Sequence, residues 1–317
     1  MSTQTEYEAA ASSAVLFPVI NGARFRMLGP DSQEYLHRMV SNDFLSLTSG
    51  QSAWACVLAI DGRLIADLYA WILDEETILV ETSADTLAPL MSTLEKYIIM
   101  ERIELEDATG ALDLVTVLGP GAPEIVTKVL DIEVNDMPEG HCLPKDDMII
   151  AARPRGWVGS LDIYAPPQRM PAIRQALIAG GCHDGSPETL DILRVESGIP
   201  TWGAELTTRT IPLEANLDGK AVSFTKGCYP GQEVIARIHS RGRPAKELRG
   251  IRLEGTVVPA PGTAVMRDGT DIGIITSAAN SPRLGVVALA YLKKDYLEPY
   301  QPATVDGIPG VTTTLPF

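Results

Sequence analysis

Residues 226–233 read Lys-Gly-Cys-Tyr-Pro-Gly-Gln-Glu, a glycine-rich turn that runs directly into an amphipathic helix. Three apolar residues follow at helical spacing, Val234, Ile235 and Ile238. Cys228 would lie just ahead of the helix N-terminus, where unpaired N–H groups and the helix dipole favour negative charge. Lys226 is two residues away, and both features favour the thiolate. We therefore predict that Cys228 is the reactive cysteine and that Lys226 assists it; the open alternative is a small thiol packed at a turn.

Charge along the chain is unevenly distributed. The 317 residues include 26 Lys and Arg and 41 Asp and Glu, which gives a net charge of −15 and argues against a general nucleic-acid binder. Residues 226–252 nevertheless hold seven basic and two acidic side chains, and Arg237 is among the basic ones. This stretch indicates either a site for a small anionic ligand or a solvated basic face.

Apolar and cysteine patterns limit the compartment and the cofactors. The longest unbroken apolar stretch is eight residues, 53–60, so no membrane partner is expected. Near the N-terminus Glu6 and Glu8 stand where a signal peptide needs basic residues. The four cysteines are scattered, which predicts reduced thiols in the cytoplasm. The pairs His141-Cys142 and Cys182-His183 fit common zinc spacings poorly, so no metal is predicted.

Two regions of different pattern divide the chain. Residues 1–246 alternate helical and strand patterns and are expected to form an α/β region of two interleaved subdomains. Within it, strands at 53–59 and 64–73 are joined by the hairpin turn Asp61-Gly62, because glycine tolerates positive φ. Residues 247–317 show only short strands separated by Gly, Pro and Asn, which predicts a small antiparallel β-barrel.

Other elements are predicted with less definite boundaries. Apolar spacing predicts a helix over residues 84–100, and residues 132–145 are expected to be irregular. Ser186 and Pro187 open a further helix that ends at Gly198. Glu196 falls in the last turn of that helix, where a carboxylate opposes the negative end of the dipole. Such a placement indicates another role, for example bonding the N–H groups of a heterocycle; the alternative is a solvated glutamate.

Several motifs together resemble a known family. They are Arg194-x-Glu196-x-Gly198-Ile199-Pro200, Pro212-x-Glu214-Ala215, the octapeptide KGCYPGQE, and Asp61-Gly62-Arg63 followed by Asp67. The chain resembles the YgfZ-type folate-binding proteins, relatives of the aminomethyltransferase (T-protein) of glycine cleavage. That group includes factors that support iron–sulfur cluster enzymes.

The resemblance implies an α+β, aminomethyltransferase-like (GcvT-like) fold: a three-part ring of α/β subdomains with a small C-terminal antiparallel β-barrel. Tetrahydrofolate, as its polyglutamate, would bind in the central hole. By position, Glu196 would recognise the pterin and Asp67 would border the folate. Trp202, Tyr229 and Arg237 are the further expected folate contacts.

Two departures from the aminomethyltransferase pattern shape the functional expectation. Aminomethyltransferases tend to carry two adjacent acids where this chain has Ala66-Asp67, and an acid with Phe-Ile-Gly where it has Cys228–Gly231. We therefore expect an accessory protein that binds tetrahydrofolate and supports iron–sulfur cluster assembly or repair in client enzymes, with indirect effects on tRNA modification. The alternatives are a folate-dependent aminomethyltransferase or demethylase, and a scaffold without a ligand.

Overall fold

The computed structural model describes residues 2–317, which form two open β-sheets and one closed β-barrel. The α-helices are α1 (Thr3–Ser12), α2 (Ser32–Met39), α3 (Ala84–Glu95), α4 (Ala122–Leu130), α5 (Met170–Ala179), α6 (Pro187–Glu196) and α7 (Gln232–Arg241). The strands are β1 (Val15–Pro18), β2 (Gly22–Leu28), β3 (Ser52–Leu58), β4 (Leu64–Ile72), β5 (Thr77–Ser83), β6 (Glu104–Asp107), β7 (Asp113–Leu118), β8 (Cys142–Lys145), β9 (Met148–Ala152), β10 (Ser160–Ala165), β11 (His183–Asp184), β12 (Lys246–Leu253), β13 (Ala264–Arg267), β14 (Thr270–Ser281), β15 (Gly285–Lys293), β16 (Pro302–Val305) and β17 (Ile308–Thr313).

The first sheet is antiparallel and has the strand order β3-β4-β5-β2-β6. Successive residues of a strand face opposite sides of the sheet, so the side chains of β4 lie in two different environments. Ala66 and Leu68 face the core that includes residues of α2 and α3. Tyr69 and Trp71 pack toward the second sheet, where they meet Tyr164 of β10. Asp67 shares the face of Tyr69 and Trp71.

The second sheet has the order β11-β1-β7-β10-β9-β8 and is antiparallel except where β1 pairs with β11. The chain enters this sheet at β1, builds the whole first sheet, and returns at β7. Helices α4 and α5 bury apolar residues such as Val126 and Leu177 in its core. The two sheets are therefore interleaved along the sequence and their facing side chains form a shared interior.

The C-terminal strands close into a six-stranded antiparallel barrel in the order β12-β15-β14-β13-β16-β17. This confirms the expected antiparallel β-barrel and the expected α+β content. The strand β17 has no counterpart in the sequence prediction, although it pairs with both β12 and β16 and thereby closes the barrel. The division of the chain at residue 246 stays a prediction.

Several predicted boundaries need correction. The helix expected over 84–100 ends at Glu95, because the Glu101 carboxylate accepts the backbone N–H groups of Ile99 and Met100 at 3.0 and 3.1 Å and holds them in a turn. The segment expected to be irregular contains β8, which pairs with β9. Helix α1 was not predicted, although Ser2 at its N-cap accepts the N–H of Thr5 and alanine residues favour a helix there.

The hairpin between β3 and β4 is confirmed, with Gly62 at φ 79°. A Cβ at Gly62 would lie 2.8 Å from Cβ of Val234, so the hairpin tip packs closely against α7. The helix expected after Ser186 is confirmed as α6, with the Ser186 hydroxyl accepting the N–H of Thr189. Among residues 2–317 no helix has both the length and the apolar composition that a membrane crossing needs.

Candidate functional site

Asp67 lies on β4 directly opposite Cys56 of β3, and Trp54 lies two pairs further along, opposite Tyr69. The Trp54 indole Nε1 donates to Asp67 Oδ2 at 3.1 Å. Burial raises the pKa of the Asp67 carboxyl; the Trp54 hydrogen bond and the charge of Arg153 oppose this rise without cancelling it. Asp67 is a partly exposed carboxylate that holds a proton more readily than an ordinary aspartate.

Cys56 is the cysteine that lies beside Asp67, and no motif in the sequence pointed to it. Its side chain is completely buried, and burial, with the nearby charge of Asp67, raises the pKa of its thiol. Its backbone N–H donates to the Ser41 hydroxyl at 2.8 Å. The signal that could have identified Cys56 was the hairpin register, because the turn at Asp61-Gly62 fixes which residues of β3 face Asp67.

Lys226 fastens the loop before α7 to the end of α2. Its ammonium donates to the carbonyl oxygens of Val40 at 2.6 Å, Asn42 at 3.0 Å, and His37. These are carbonyls at and just beyond the C-terminus of α2, where a cation is favoured. Burial lowers the pKa of Lys226 to about 8. The Lys226 ammonium thus bonds carbonyl oxygens of α2 and its end, whereas the Cys228 thiol is exposed. No contact among residues 2–317 supports the predicted action of Lys226 on Cys228. A reactive Cys228 stays a prediction.

Tyr229, in the same loop before α7, has a side chain buried in the interior. It is 7% exposed and packs in one cluster with Cys56 and Leu58. Burial raises the pKa of Tyr229 to about 12, and Cys56 adds to this rise. We call Trp54, Cys56, Asp67 and Tyr229 the Asp67 site. The structure therefore brings two predicted residues, Asp67 and Tyr229, together around a cysteine that was not predicted.

A second carboxylate, Glu81 of β5, lies opposite Tyr69 on the same face of the first sheet. It accepts hydrogen bonds from Arg155 at 3.1 Å, from Tyr164 at 2.7 Å, and from Arg153. Burial acts to raise the pKa of Glu81, but Arg153 and Arg155 outweigh it and lower that pKa to about 2.

Arg155 also forms two hydrogen bonds with the fully buried Asp162, at 2.7 and 2.6 Å. We call Glu81, Arg153, Arg155, Asp162 and Tyr164 the Glu81 cluster. Because Glu81 belongs to the first sheet and its partners belong to β10 and the loop before it, the cluster joins the two sheets. It also adjoins the Asp67 site. The charge of Arg153 acts on Asp67, and the Arg153 guanidinium lies 4.4 Å from the centre of the ring of Tyr69, which lies opposite Trp54.

Glu196 lies at the junction of α6 with the barrel. It is 1% exposed, so the solvated alternative is wrong. The Tyr7 hydroxyl donates to its two oxygens at 3.0 and 2.9 Å, Arg283 donates at 3.4 Å, and the Ser281 hydroxyl donates as well. A carboxylate offers about four acceptor positions, and protein donors occupy them here. Pterin recognition by Glu196 stays a prediction, and these contacts with protein donors argue against it.

Arg194 of the same motif also reaches the barrel. Its guanidinium donates to Glu205 at 3.1 Å and to the Ser277 hydroxyl of β14 at 2.9 Å. Ser277 in turn donates to Glu205 at 2.6 Å. The Arg-x-Glu motif therefore attaches α6 to β14, and Glu205 is a buried member of this joint that sequence reasoning missed.

Trp202 and Arg237 are the two other predicted folate contacts. Trp202 is half-buried and lines a shallow cleft of about 310 Å³ with Arg63 and Asp85. Arg237 is exposed on α7. Both assignments stay predictions. Within residues 2–317 no group of three or more His, Cys, Asp or Glu side chains is arranged to hold a metal ion.

Comparisons with known proteins define the class. Residues 1–226 match the model of the GCVT N-terminal domain, and residues 246–314 match that of the glycine cleavage T-protein C-terminal barrel domain. The chain belongs to this glycine cleavage T-protein (GCVT) family.

Individual relatives match nearly the whole chain. It is 28% identical to an aminomethyltransferase of Saccharopolyspora erythraea over 98% of the chain and 89% of the relative. It is 29% identical to an aminomethyltransferase of Chlorobaculum tepidum over the same shares. The crystal structure of the glycine cleavage system aminomethyltransferase T from Bartonella henselae superposes with a TM-score of 0.91 at 20% identity, covering 99% of this chain and 89% of that one. At that identity the superposition establishes the fold.

These relatives overturn the main functional expectation. The prediction of an accessory protein for iron–sulfur clusters is wrong, because relatives that match along nearly the whole chain are named aminomethyltransferase. Iron–sulfur client partners and an effect on tRNA modification have no support for the same reason.

Part of the error has a physical cause. The two-acid pattern predicts that Ala66 replaces a functional acid, yet Ala66 faces the apolar core of α2 and α3 and is completely buried. Adjacent residues of a strand face opposite sides, so a side chain at position 66 cannot share the environment of Asp67.

Proposed function

We propose that this chain is a folate-dependent aminomethyltransferase, which moves a one-carbon unit from an aminomethyl donor to tetrahydrofolate. The observation that carries the proposal is the match to enzymes of this name along nearly the whole chain and most of their own length. The carboxylate of Asp67, with its raised pKa, supports it, because the chemistry needs a group that accepts and returns protons.

The proton balance explains the need for that carboxylate. The donor's methylene carbon loses its bonds to the amine and to the carrier, and gains bonds to two folate nitrogens. Two N–H protons leave the folate; one goes to the departing amine, which becomes ammonia, and one goes to the carrier atom. We assign Asp67 as the general base that takes up a folate proton and as the acid that returns it to a leaving group.

The environment of Asp67 suits this role. A carboxylate with a raised pKa is a stronger base than an ordinary aspartate and gives up its proton again near neutral pH more readily than an amine does. The Trp54 hydrogen bond fixes one carboxylate oxygen, Oδ2, which leaves Oδ1 for the reacting atoms. Removing a positioned acid–base group typically slows a reaction 10²- to 10⁴-fold.

Two finer assignments accompany the proposal. We propose that Arg237 and its basic neighbours on residues 226–252 attract the polyglutamate tail, so that tail affinity falls as salt rises. We also propose that KGCYPGQE places the chain in the YgfZ-type branch of the family, which concerns descent and carries no claim about iron–sulfur clusters.

The test is a glycine-cleavage reaction reconstituted without its own aminomethyltransferase, to which the purified chain and tetrahydrofolate are added. We expect glycine-dependent formation of methylene-tetrahydrofolate. A chain that binds tetrahydrofolate but forms no methylene product in this reaction would contradict the proposal.

A further inference from the structure

The Tyr229 hydroxyl is a buried hydrogen-bonding group without a partner among residues 2–317. A buried, unpaired polar group costs free energy, and for this reason nearly all such groups in folded proteins are paired. Arg24 Nε, Ser32 Oγ, Trp71 Nε1 and Arg267 Nη2 are the other buried side-chain atoms in the same condition. Tyr229 differs from these four because it belongs to the Asp67 site.

The loop that carries Tyr229 is fixed at both ends. On one side, Lys226 is held by three carbonyl oxygens at the end of α2. On the other side, Gly231 has φ 81°, and a Cβ there would lie 2.5 Å from the carbonyl oxygen of Ala59. Only glycine allows this approach. Both anchors rest on the structural unit that contains Asp67, so the position of Tyr229 is set relative to that carboxylate.

Tyr229 belongs to a hydrophobic cluster in which its hydroxyl has no hydrogen-bond partner among residues 2–317. Cys56, Leu58 and Leu64 lie in its cluster, and of these only the Cys56 sulfur is even a weak acceptor. The Lys226 ammonium lies 5.2 Å from the centre of the Tyr229 ring and is turned to the carbonyls of α2. The phenol is therefore a donor without a partner near Cys56, the residue that lies opposite Asp67.

We propose that the Tyr229 hydroxyl donates a hydrogen bond to an acceptor atom of the folate ring system bound at the Asp67 site. The inference rests on the proposed function and adds a ligand contact to it. The free energy spent on burying an unpaired hydroxyl is regained when the ligand's oxygen or ring nitrogen reaches it.

Tyr229→Phe tests this because the two measurable effects have opposite signs. The variant keeps the ring and removes the unpaired oxygen, so the ligand-free protein should unfold at the same or a higher urea concentration than wild type. Its affinity for tetrahydrofolate, measured by calorimetry, should fall roughly 2- to 12-fold, as expected for the loss of one neutral hydrogen bond.

Tyr291→Phe is the matched control. The Tyr291 hydroxyl in the barrel donates to the backbone oxygen of Glu205 at 2.9 Å, so its removal should lower stability and leave tetrahydrofolate affinity unchanged.

Each possible result of these measurements bears on one or both of the two proposals. Unchanged affinity in Tyr229→Phe, with wild type binding normally, overturns this inference and leaves the proposed function in place. A loss of stability in Tyr229→Phe as large as that in Tyr291→Phe also overturns it, because the hydroxyl would then have a protein partner. Wild type that fails to bind tetrahydrofolate overturns both proposals.

Discussion

Asp67 and Glu81 are two carboxylates on neighbouring strands and on one face of the same sheet, yet their environments shift their acidities in opposite directions. Glu81 is paired with Arg153 and Arg155, and its pKa is lowered to about 2. Asp67 has one indole donor and the more distant charge of Arg153, and its pKa is raised. Burial acts on both groups, so the difference comes from pairing.

Glu81 is thus an anchoring carboxylate, and Asp67 is the one that we propose to be reactive. Glu81 stays ionised at all ordinary pH values and holds the two sheets together through its ion pairs. Asp67 is left with a free oxygen and a proton affinity above that of ordinary aspartates, which is the condition for proton transfer. The sheet thus places a rigid charged joint next to a site that can change its protonation.

The largest effect is expected for Asp67→Asn. The amide keeps the size of the side chain but cannot take up a proton, so turnover should fall about 10²- to 10⁴-fold while the protein stays folded. The measurement is the initial rate of methylene-tetrahydrofolate formation, with the exposed Asp61→Asn in the same hairpin as the control. Equal rates for Asp67→Asn and Asp61→Asn would remove Asp67 from the mechanism.

Glu81→Ala, unlike Asp67→Asn, should reduce the stability of the folded protein. It leaves Arg153 and Arg155 buried without their shared partner, and breaking a buried pair costs about 3–5 kcal/mol. Urea unfolding followed by circular dichroism measures this loss.

The pH dependence of that stability provides the control for Glu81→Ala. Since the folded-state pKa of Glu81 is depressed, its contribution is fully present above the ordinary value of 4.5 and is lost as pH falls from there toward 2. The difference between wild type and Glu81→Ala should shrink over this interval. A difference that is constant from pH 5 to pH 2.5 would show that the ion pairs are not its cause.

Glu196→Ala should give a smaller loss, about 2–4 kcal/mol, because Tyr7 and Ser281 lose their acceptor while Arg283 can regain water. The geometry predicts that tetrahydrofolate affinity stays near the wild-type value in this variant, as measured by calorimetry. A large loss of affinity with little loss of stability would instead support pterin recognition by Glu196.

Local sequence signals predicted the parts of the fold that local chemistry determines. The Asp61-Gly62 turn gave the hairpin and placed Asp67 on it, and Ser186-Pro187 gave the start of α6. The partners of Glu196 and Glu81 could not be predicted in this way. Tyr7 lies 189 residues before Glu196, and Arg153 lies 72 residues after Glu81, so these contacts exist only once the sheets and the barrel have assembled.

The central claim, that Asp67 is the proton-transferring carboxylate and Glu81 a fixed anchor, is tested most directly by titrating both carboxyl carbons in the folded protein by NMR. Asp67→Asn and Glu81→Gln assign the two signals. We predict that Asp67 titrates above the ordinary aspartate value of 3.8 and that Glu81 titrates near 2. An Asp67 that titrates at or below 3.8, or a Glu81 that titrates above 4.5, would contradict the account.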